Sequence, residues 1–291
     1  MNNRNSAGAI DSHTILYGVF GDPVHHSKSP VMMNAAFREF GINAAYAAFH
    51  VKPDRLRDAV CGIRALGFRG VNVTIPHKVE VMNYLDEVDE AASIIGAVNT
   101  IVNENGRLTG YNTDGIGYVR SLKTETGCDL RGKRIVVIGA GGAARGVVYA
   151  LAREGPASIR IANRTRDKAA ELAKDMSAFA DCSGINMEEL SAISDADLLL
   201  NTTSVGMHPH KDQVPAANIR YRPGMIVSDL IYNPLETRWL QLAGQAGAIV
   251  HRGLGMFIYQ GAYAFEYWTG RPAPVEVMRE AVMRSLQIPA E

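Results

Sequence analysis

Cysteine is scarce: only Cys61, Cys128 and Cys182 carry a thiol among 291 residues. They are odd in number, widely spaced and form no CxxC, which excludes a disulfide framework and fits a reducing compartment, the cytoplasm. An excess of either charge is also missing, since 30 Lys and Arg balance 30 Asp and Glu. That speaks against a broad nucleic-acid or anionic-membrane surface but leaves room for a local phosphate site. No apolar run approaches the ~20 residues that span a bilayer. Residues 1–14 are polar, without the apolar centre of a secretion signal, and read as a disordered extension. Repeats and low-complexity tracts are absent. What remains is 47% hydrophobic and 21% charged, an ordinary globular balance in a chain long enough for two domains.

Strand-like and helix-like stretches alternate from residue 15 onward. Residues 15–20 read as a buried strand. Ser29 reads as a helix N-cap with Pro30 in the first helical position, and Gly41 ends that helix. A strand over 44–51, a helix from Pro53 to Gly67 and a strand over 70–75 follow. This order predicts parallel βαβ units. Helical segments are expected over 77–93. Asn105-Gly106, between runs 97–102 and 107–111, signals a hairpin. A second alternation begins near Arg131, with strands at 133–138, 159–162, 198–201, 225–230 and 249–251 and helices between them. Two amphipathic stretches, 256–268 and one after Pro274, close the chain. The expectation is an α/β protein of two lobes. An N-terminal α/β domain spans 15–120 with 256–291, a doubly wound domain spans 121–255, and the C-terminal helices return to the first lobe.

In the second lobe the strand at 135–138 runs into Gly139-Ala140-Gly141-Gly142-Ala143-Ala144 and then a helix. The spacing fits G-x-G-x-x-[GA] in a strand–turn–helix setting. Gly139 permits a tight turn, Gly141 lets the backbone approach a pyrophosphate, and Ala144 allows close helix–strand packing. The helix N-terminus offers unpaired N–H groups to phosphate. A Rossmann-type dinucleotide site is therefore predicted, with Gly139, Gly141, Gly142 and Ala143 against the cofactor. A further absence then matters. An NAD site places an acid at the end of the next strand, but this one ends Asn163-Arg164-Thr165, with Lys168 in the following turn. Cations at a helix N-terminus are disfavoured by the dipole unless an anion joins them. A guanidinium can grip a 2′-phosphate in a bidentate, charge-assisted pair. The cluster predicts NADP(H), and the chain reads as a nicotinamide-dependent oxidoreductase.

Polar residues gather after the strands of the first lobe. They are Ser27-Lys28-Ser29-Pro30, Asn72-Val73-Thr74-Ile75-Pro76-His77-Lys78, Ala97-Val98-Asn99-Thr100 and Asn112-Thr113-Asp114-Gly115. Each alone is ordinary capping or turn chemistry. Together and in this order they resemble the motifs of the shikimate dehydrogenase family. So do residues 201–207, 229–234, 253–256, 260–262 and 268–270, and the resemblance runs from about residue 17 to residue 286. It implies a reversible NADPH-dependent reduction of 3-dehydroshikimate to shikimate in aromatic amino-acid biosynthesis. By position it implies Lys78 and Asp114 as the catalytic pair. Ser27, Ser29 and Tyr232 would hold the substrate carboxylate, and Thr74, Asn99 and Gln260 would line the ring-hydroxyl site. Asn163, Arg164, Thr165 and Lys168 would clamp the 2′-phosphate. Thr203 and Ile231 would contact the cofactor, with Met207, Gly253 and Met256 near the nicotinamide.

Lys78 could serve as a general acid or as an electrostatic anchor for the substrate oxygen. Two other readings stand beside this one. An NAD-dependent quinate/shikimate dehydrogenase would be expected to carry an Asp where Thr165 stands. A non-catalytic shikimate-binding module would share the fold without the reaction. Arg252 departs from the family's usual wording beside Gly253. His208 and His210 have no further ligand nearby, so no metal is expected. The expected partner is a small-molecule substrate, without nucleic acid or membrane, for a monomer or homodimer.

Overall fold

In the computed structural model, the apolar run at the start of the first lobe forms β1 (Ile15–Gly21), which leads through α1 (Ser29–Glu39) to β2 (Ala44–His50). A helix α2 (Leu56–Ala65) then returns the chain to β3 (Gly70–Val73). Both β2 and β3 pair parallel to β1, with Ile15 opposite Ala44 and Tyr17 opposite Gly70. The structure describes residues 10–192, 195–217 and 219–287; residues 1–9 of the expected extension lie outside that set. The chain divides into two units, residues 1–113 with 260–291, and residues 114–259.

The first unit continues with β4 (Glu87–Val88), α3 (Glu90–Ile95), β5 (Thr100–Glu104) and β6 (Arg107–Tyr111). The sheet order is β2-β1-β3-β5-β6-β4. Strand β5 is antiparallel to both neighbours, so its N-terminal end lies beside the C-terminal end of β3, with Asn72 opposite Thr100. The hairpin between β5 and β6 turns on Asn105 (φ 54°) and Gly106 (φ 92°), the paired positive φ values of a tight primed turn.

The helical expectation over 77–93 fails in part. Only a 3₁₀ turn at Glu80–Tyr84 and the six-residue α3 are helical. Asp86 accepts hydrogen bonds from Leu108 N and Arg64 Nη2, both at 2.7 Å, which draws residues 87–88 onto β6 as a short strand. Tertiary pairing overrides the local pattern there. The Ser29 cap is also corrected. Ser29 is itself the first residue of α1, Lys28 stands at the cap without a side-chain cap bond, and Ser27 Oγ accepts from Ser29 N at 3.2 Å.

From residue 260 onward the chain belongs to this unit. α8 (Gly253–Thr269) crosses from the second unit into it, and α9 (Val275–Gln287) follows. Trp268 on α8 lies over β3 and donates from Nε1 to Ile101 O at 3.0 Å. Phe265 stacks near Phe37 of α1 with ring centroids 5.6 Å apart. Val60, Ile63, Val71, Ile101 and Leu108 fill a second, fully buried core.

The second unit opens with α4 (Asp114–Thr126). It then alternates β7 (Arg134–Ile138), α5 (Gly142–Ala152), β8 (Ser158–Ala162), α6 (Arg166–Met176) and β9 (Cys182–Ile185). After β10 (Leu198–Asn201) come β11 (Ile226–Asp229), α7 (Arg238–Gln245) and β12 (Ile249–His251). All six strands are parallel in the order β12-β11-β10-β7-β8-β9. Numbered within the unit, that is the doubly wound order 3-2-1-4-5-6. The order reverses between β7 and β10, and ligands of such sheets sit beyond the carboxyl ends of the strands at that point. β9 has no counterpart in the sequence-based reading. It is short and half polar, and a Cβ on its Gly184 would stand 2.5 Å from Ala170 N of α6.

Candidate active site

The glycine turn stands at the reversal point of the second sheet. Gly139 has φ +110°, a backbone state that side chains resist, and a Cβ there would meet Thr202 Oγ1 at 2.5 Å. Its N–H donates to Ala162 O at 2.8 Å, tying the turn to the end of β8. Gly141 occupies the cap of α5 without any side-chain cap bond, and Cβ positions on Gly141 and Gly142 would meet only open space. Ala143 is half-buried and Ala144 fully buried against the core. The start of α5 is thus a stretch of bare backbone N–H groups, the donor set that suits a pyrophosphate.

Beyond β8, Asn163 Nδ2 donates to Thr165 O at 2.9 Å and shapes the turn. Arg164, Thr165, Arg166 and Lys168 are all exposed, and Thr165 at the cap of α6 makes no side-chain cap bond. The first acid is Asp167, inside the helix. Unshielded cations around an open helix start fit a 2′-phosphate better than a ribose diol.

A buried carboxylate organises the loops after β10 and β11. Asp229 Oδ1 accepts from Asn201 Nδ2 at 3.1 Å and from Ile231 N at 3.0 Å, and Oδ2 accepts from Thr237 Oγ1 at 2.8 Å. Asn201 Oδ1 in turn accepts from Thr203 N at 3.0 Å and Thr203 Oγ1 at 2.7 Å. Burial pushes the Asp229 carboxyl up to about 7, against the pull of its donors. The network fixes Thr203 and Ile231, two of the expected cofactor residues. Met207 is half exposed, while Met256 packs into the core of this unit. Gly253 passes so close to Leu230 O that no side chain fits, and Tyr232 stacks on Phe257 with centroids 4.4 Å apart. Arg252 is engaged by Glu236, its Nε donating to Oε2 at 3.0 Å.

In the first unit, the antiparallel β5 brings the polar segments to one end of the sheet. Asn72 Nδ2 donates to Asn99 O and Thr100 Oγ1, both at 3.1 Å, and Tyr46 OH donates to Asn72 Oδ1 at 2.7 Å. Asn99 Nδ2 donates to Thr113 Oγ1 at 3.0 Å, and Asn99 Oδ1 accepts from Thr113 N at 2.8 Å. Asn112 Nδ2 donates to Ala97 O at 2.9 Å. Asn72, Asn112, Thr113 and Tyr46 are therefore the scaffold of this corner, roles that sequence reasoning did not assign. Their sole advance signal was polar residues inside apolar strand ends.

Thr74 is half-buried and its N–H donates to Phe20 O at 2.9 Å, placing it at the shared end of β1 and β3. Lys78 is half-buried, and its carbonyl accepts from Val98 N at 2.8 Å, beside the Asn99 corner. His77 is buried, with Nε2 2.7 Å from Val51 O, which anchors the loop carrying Lys78. Ser29 is buried and Ser27 half-buried at the start of α1, and Gln260 is half-buried on α8. Asp114 is buried at the first position of α4 and belongs to the second unit. Among the described residues no cluster of His, Cys, Asp or Glu could hold a metal.

The strand order and glycine turn of the second unit define a dinucleotide-binding protein of two α/β units. The particular family emerges by comparison. Residues 19–101 match the shikimate dehydrogenase substrate-binding domain, 121–230 the shikimate/quinate 5-dehydrogenase family and 253–283 the shikimate 5′-dehydrogenase C-terminal domain. A shikimate dehydrogenase (NADP+) of Geobacillus sp. (strain WCH70) is 53% identical over 94% of this chain and 99% of its own length. A shikimate dehydrogenase solved in complex with NADP+ superposes with a TM-score of 0.91 at 44% identity, covering 96% of this chain and 98% of its own. The shikimate 5-dehydrogenase of Thermus thermophilus, solved with NADP(H) and shikimate, gives 0.85 at 36% identity, over 94% of this chain and 100% of its own. The chain belongs to the shikimate dehydrogenase family.

Proposed function

We propose that the protein catalyses the reversible NADPH-dependent reduction of 3-dehydroshikimate to shikimate, the step of aromatic amino-acid biosynthesis that its family performs. The observation that carries this reading is the end-to-end match to NADP-dependent shikimate dehydrogenases. The chain also holds the family's lysine and aspartate, Lys78 and Asp114. Bound at the glycine turn, NADPH supplies the hydride for the ring carbonyl carbon. Gly139, Gly141, Gly142 and Ala143 receive its pyrophosphate, and Asn163, Arg164, Thr165 and Lys168 its 2′-phosphate. Thr203 and Ile231 contact the cofactor, and Met207, Gly253 and Met256 stand near its nicotinamide.

The chain's own work is to bind, orient and protonate. Ser27, Ser29 and Tyr232 hold the substrate carboxylate, and Thr74, Asn99 and Gln260 take the ring hydroxyls. The Lys78 ammonium hydrogen-bonds the carbonyl oxygen, stabilises the developing alkoxide and is the proton source at that oxygen. Asp114 orients Lys78 and favours its charged form. The three cysteines, all free thiols, support a reducing compartment such as the cytoplasm. A monomer or a homodimer would serve this chemistry equally.

The test is oxidation of shikimate or quinate with NADP+ or NAD+, followed by absorbance of the reduced cofactor. Turnover is expected with shikimate and NADP+, and Lys78→Ala should cut kcat by ~10²–10⁴-fold. Preference for quinate with NAD+ would overturn the substrate and cofactor assignment. No turnover with any pair would leave a binding module.

A further inference from the structure

Helix α4 carries Asp114, Tyr118, Ser121 and Glu125 at spacings of four, three and four, which puts all four on one helical face. The last three of them meet a single buried imidazole. His251, the final residue of β12, is 1% exposed. Its Nε2 lies 2.8 Å from Ser121 Oγ and 3.7 Å from Glu125 Oε2. Its Nδ1 lies 2.8 Å from Ser228 Oγ on β11, which also accepts from Tyr118 OH at 3.1 Å. The Tyr118 ring stands edge-on to the imidazole, with centroids 5.7 Å apart.

One directional chain satisfies the tyrosine, the two serines and the ring, with the Glu125 carboxylate standing outside it at 3.7 Å from Nε2. Tyr118 donates to Ser228, Ser228 donates to Nδ1, and Nε2–H donates to Ser121. That chain requires a neutral imidazole with its proton on Nε2. A protonated ring would direct a second donor at Ser228 Oγ, and burial already opposes the charge.

The helix is gripped on two sides. A Cβ on Gly255 at the start of α8 would overlap Ser121 Oγ and Glu125 Oε1, so α8 passes tightly over the same face. A Cβ on Gly115 would overlap the Gly146 carbonyl of α5, so α4 also lies hard against the helix that the glycine turn opens. Asp114 immediately precedes Gly115 and is the first residue of α4.

We propose that His251 is a positioning residue for the reaction: it clamps the face of α4 that ends in Asp114 and so fixes where that carboxylate stands relative to the cofactor turn. The proposal rests on the reading of Asp114 as the partner of Lys78. His251 acts through α4.

Steady-state kinetics with shikimate and NADP+ on His251→Leu, His251→Gln, Asp114→Asn and the His251→Leu/Asp114→Asn double variant test it. His251→Leu should lower kcat by about tenfold or more while leaving KM for NADP+ unchanged, the signature of a misplaced group. His251→Gln, which offers one donor and one acceptor, should recover most of that loss. In the Asp114→Asn background, His251→Leu should cost nothing further, because both changes disable the same group. Unchanged kcat in His251→Leu, or an equal loss in both backgrounds, would overturn the proposal. If His251→Leu does not fold, Ser228→Ala, which keeps the imidazole but removes its Nδ1 partner and the acceptor of Tyr118 OH, is read by the same criteria. Near-normal kcat in Asp114→Asn alone would overturn the Asp114 reading itself, and this inference with it, before any change at His251.

Discussion

In the proposed 2′-phosphate clamp, Arg164 would select the cofactor through its setting more than through its charge alone. It is exposed, it follows a turn shaped by Asn163, and it precedes a helix whose start no side chain caps. Arg164→Asp would place an acid where NAD sites carry one. Initial-rate kinetics should show a large rise in KM for NADPH and little change for NADH; equal changes for both would contradict the clamp. Asp229 and His251 show a second residue-level principle, that buried polar groups are held by completing their hydrogen bonds. The first is a carboxyl with three donors, and the second an imidazole between two hydroxyls. The glycine turn and the missing acid were readable in the sequence because each lies within a few residues of its strand. The two buried groups were not. Ser121 and His251 lie 130 residues apart, and Tyr118 and Ser228 lie 110 apart, so nothing local announces either pair.

At the scale of elements, α4 carries the proposed catalytic Asp114 within the dinucleotide unit, and its hold on β12 carries a pH signature. Burial depresses the His251 imidazole from 6.5 to about 4. Between those values the unfolded chain binds a proton that the folded chain refuses. The contribution of His251 is therefore complete above about pH 6.5 and is lost as pH falls toward 4, by up to roughly 3 kcal/mol. Asp229, raised from 3.8 to about 7, works in the opposite sense, so the wild-type pH profile alone would mix the two. The stability difference between wild type and His251→Gln isolates the histidine. Urea titrations should show that difference shrinking in wild type's disfavour as pH drops from 7 to 4. A pH-independent difference would mean that His251 takes up its proton normally in the folded state. Strands and helices with clear periodicity were legible from the sequence, including the Asn105-Gly106 hairpin. The segment 77–93 was not, because Asp86 and the edge of β6 convert part of it to strand. β9 was missed because four residues with a half-polar face carry too little pattern.

For the whole molecule, two α/β units divide the expected labour. Lys78, Thr74 and Asn99 belong to the first unit, and Asp114 with the glycine turn and the Arg164 cluster to the second. The doubly wound sheet and the return of the C-terminal helices were legible because strand and helix alternate cleanly along the chain. The corner built by Asn72, Asn99 and Thr113 was legible only as scattered polar residues, since the antiparallel insertion of β5 is what gathers them. The most direct measurement is isotope transfer. 3-Dehydroshikimate is reduced with NADPH deuterated at both C4 positions of the nicotinamide, and the product is examined by NMR. The account predicts shikimate carrying one deuterium on the carbon that bore the carbonyl; unlabelled product, or no product, would contradict it.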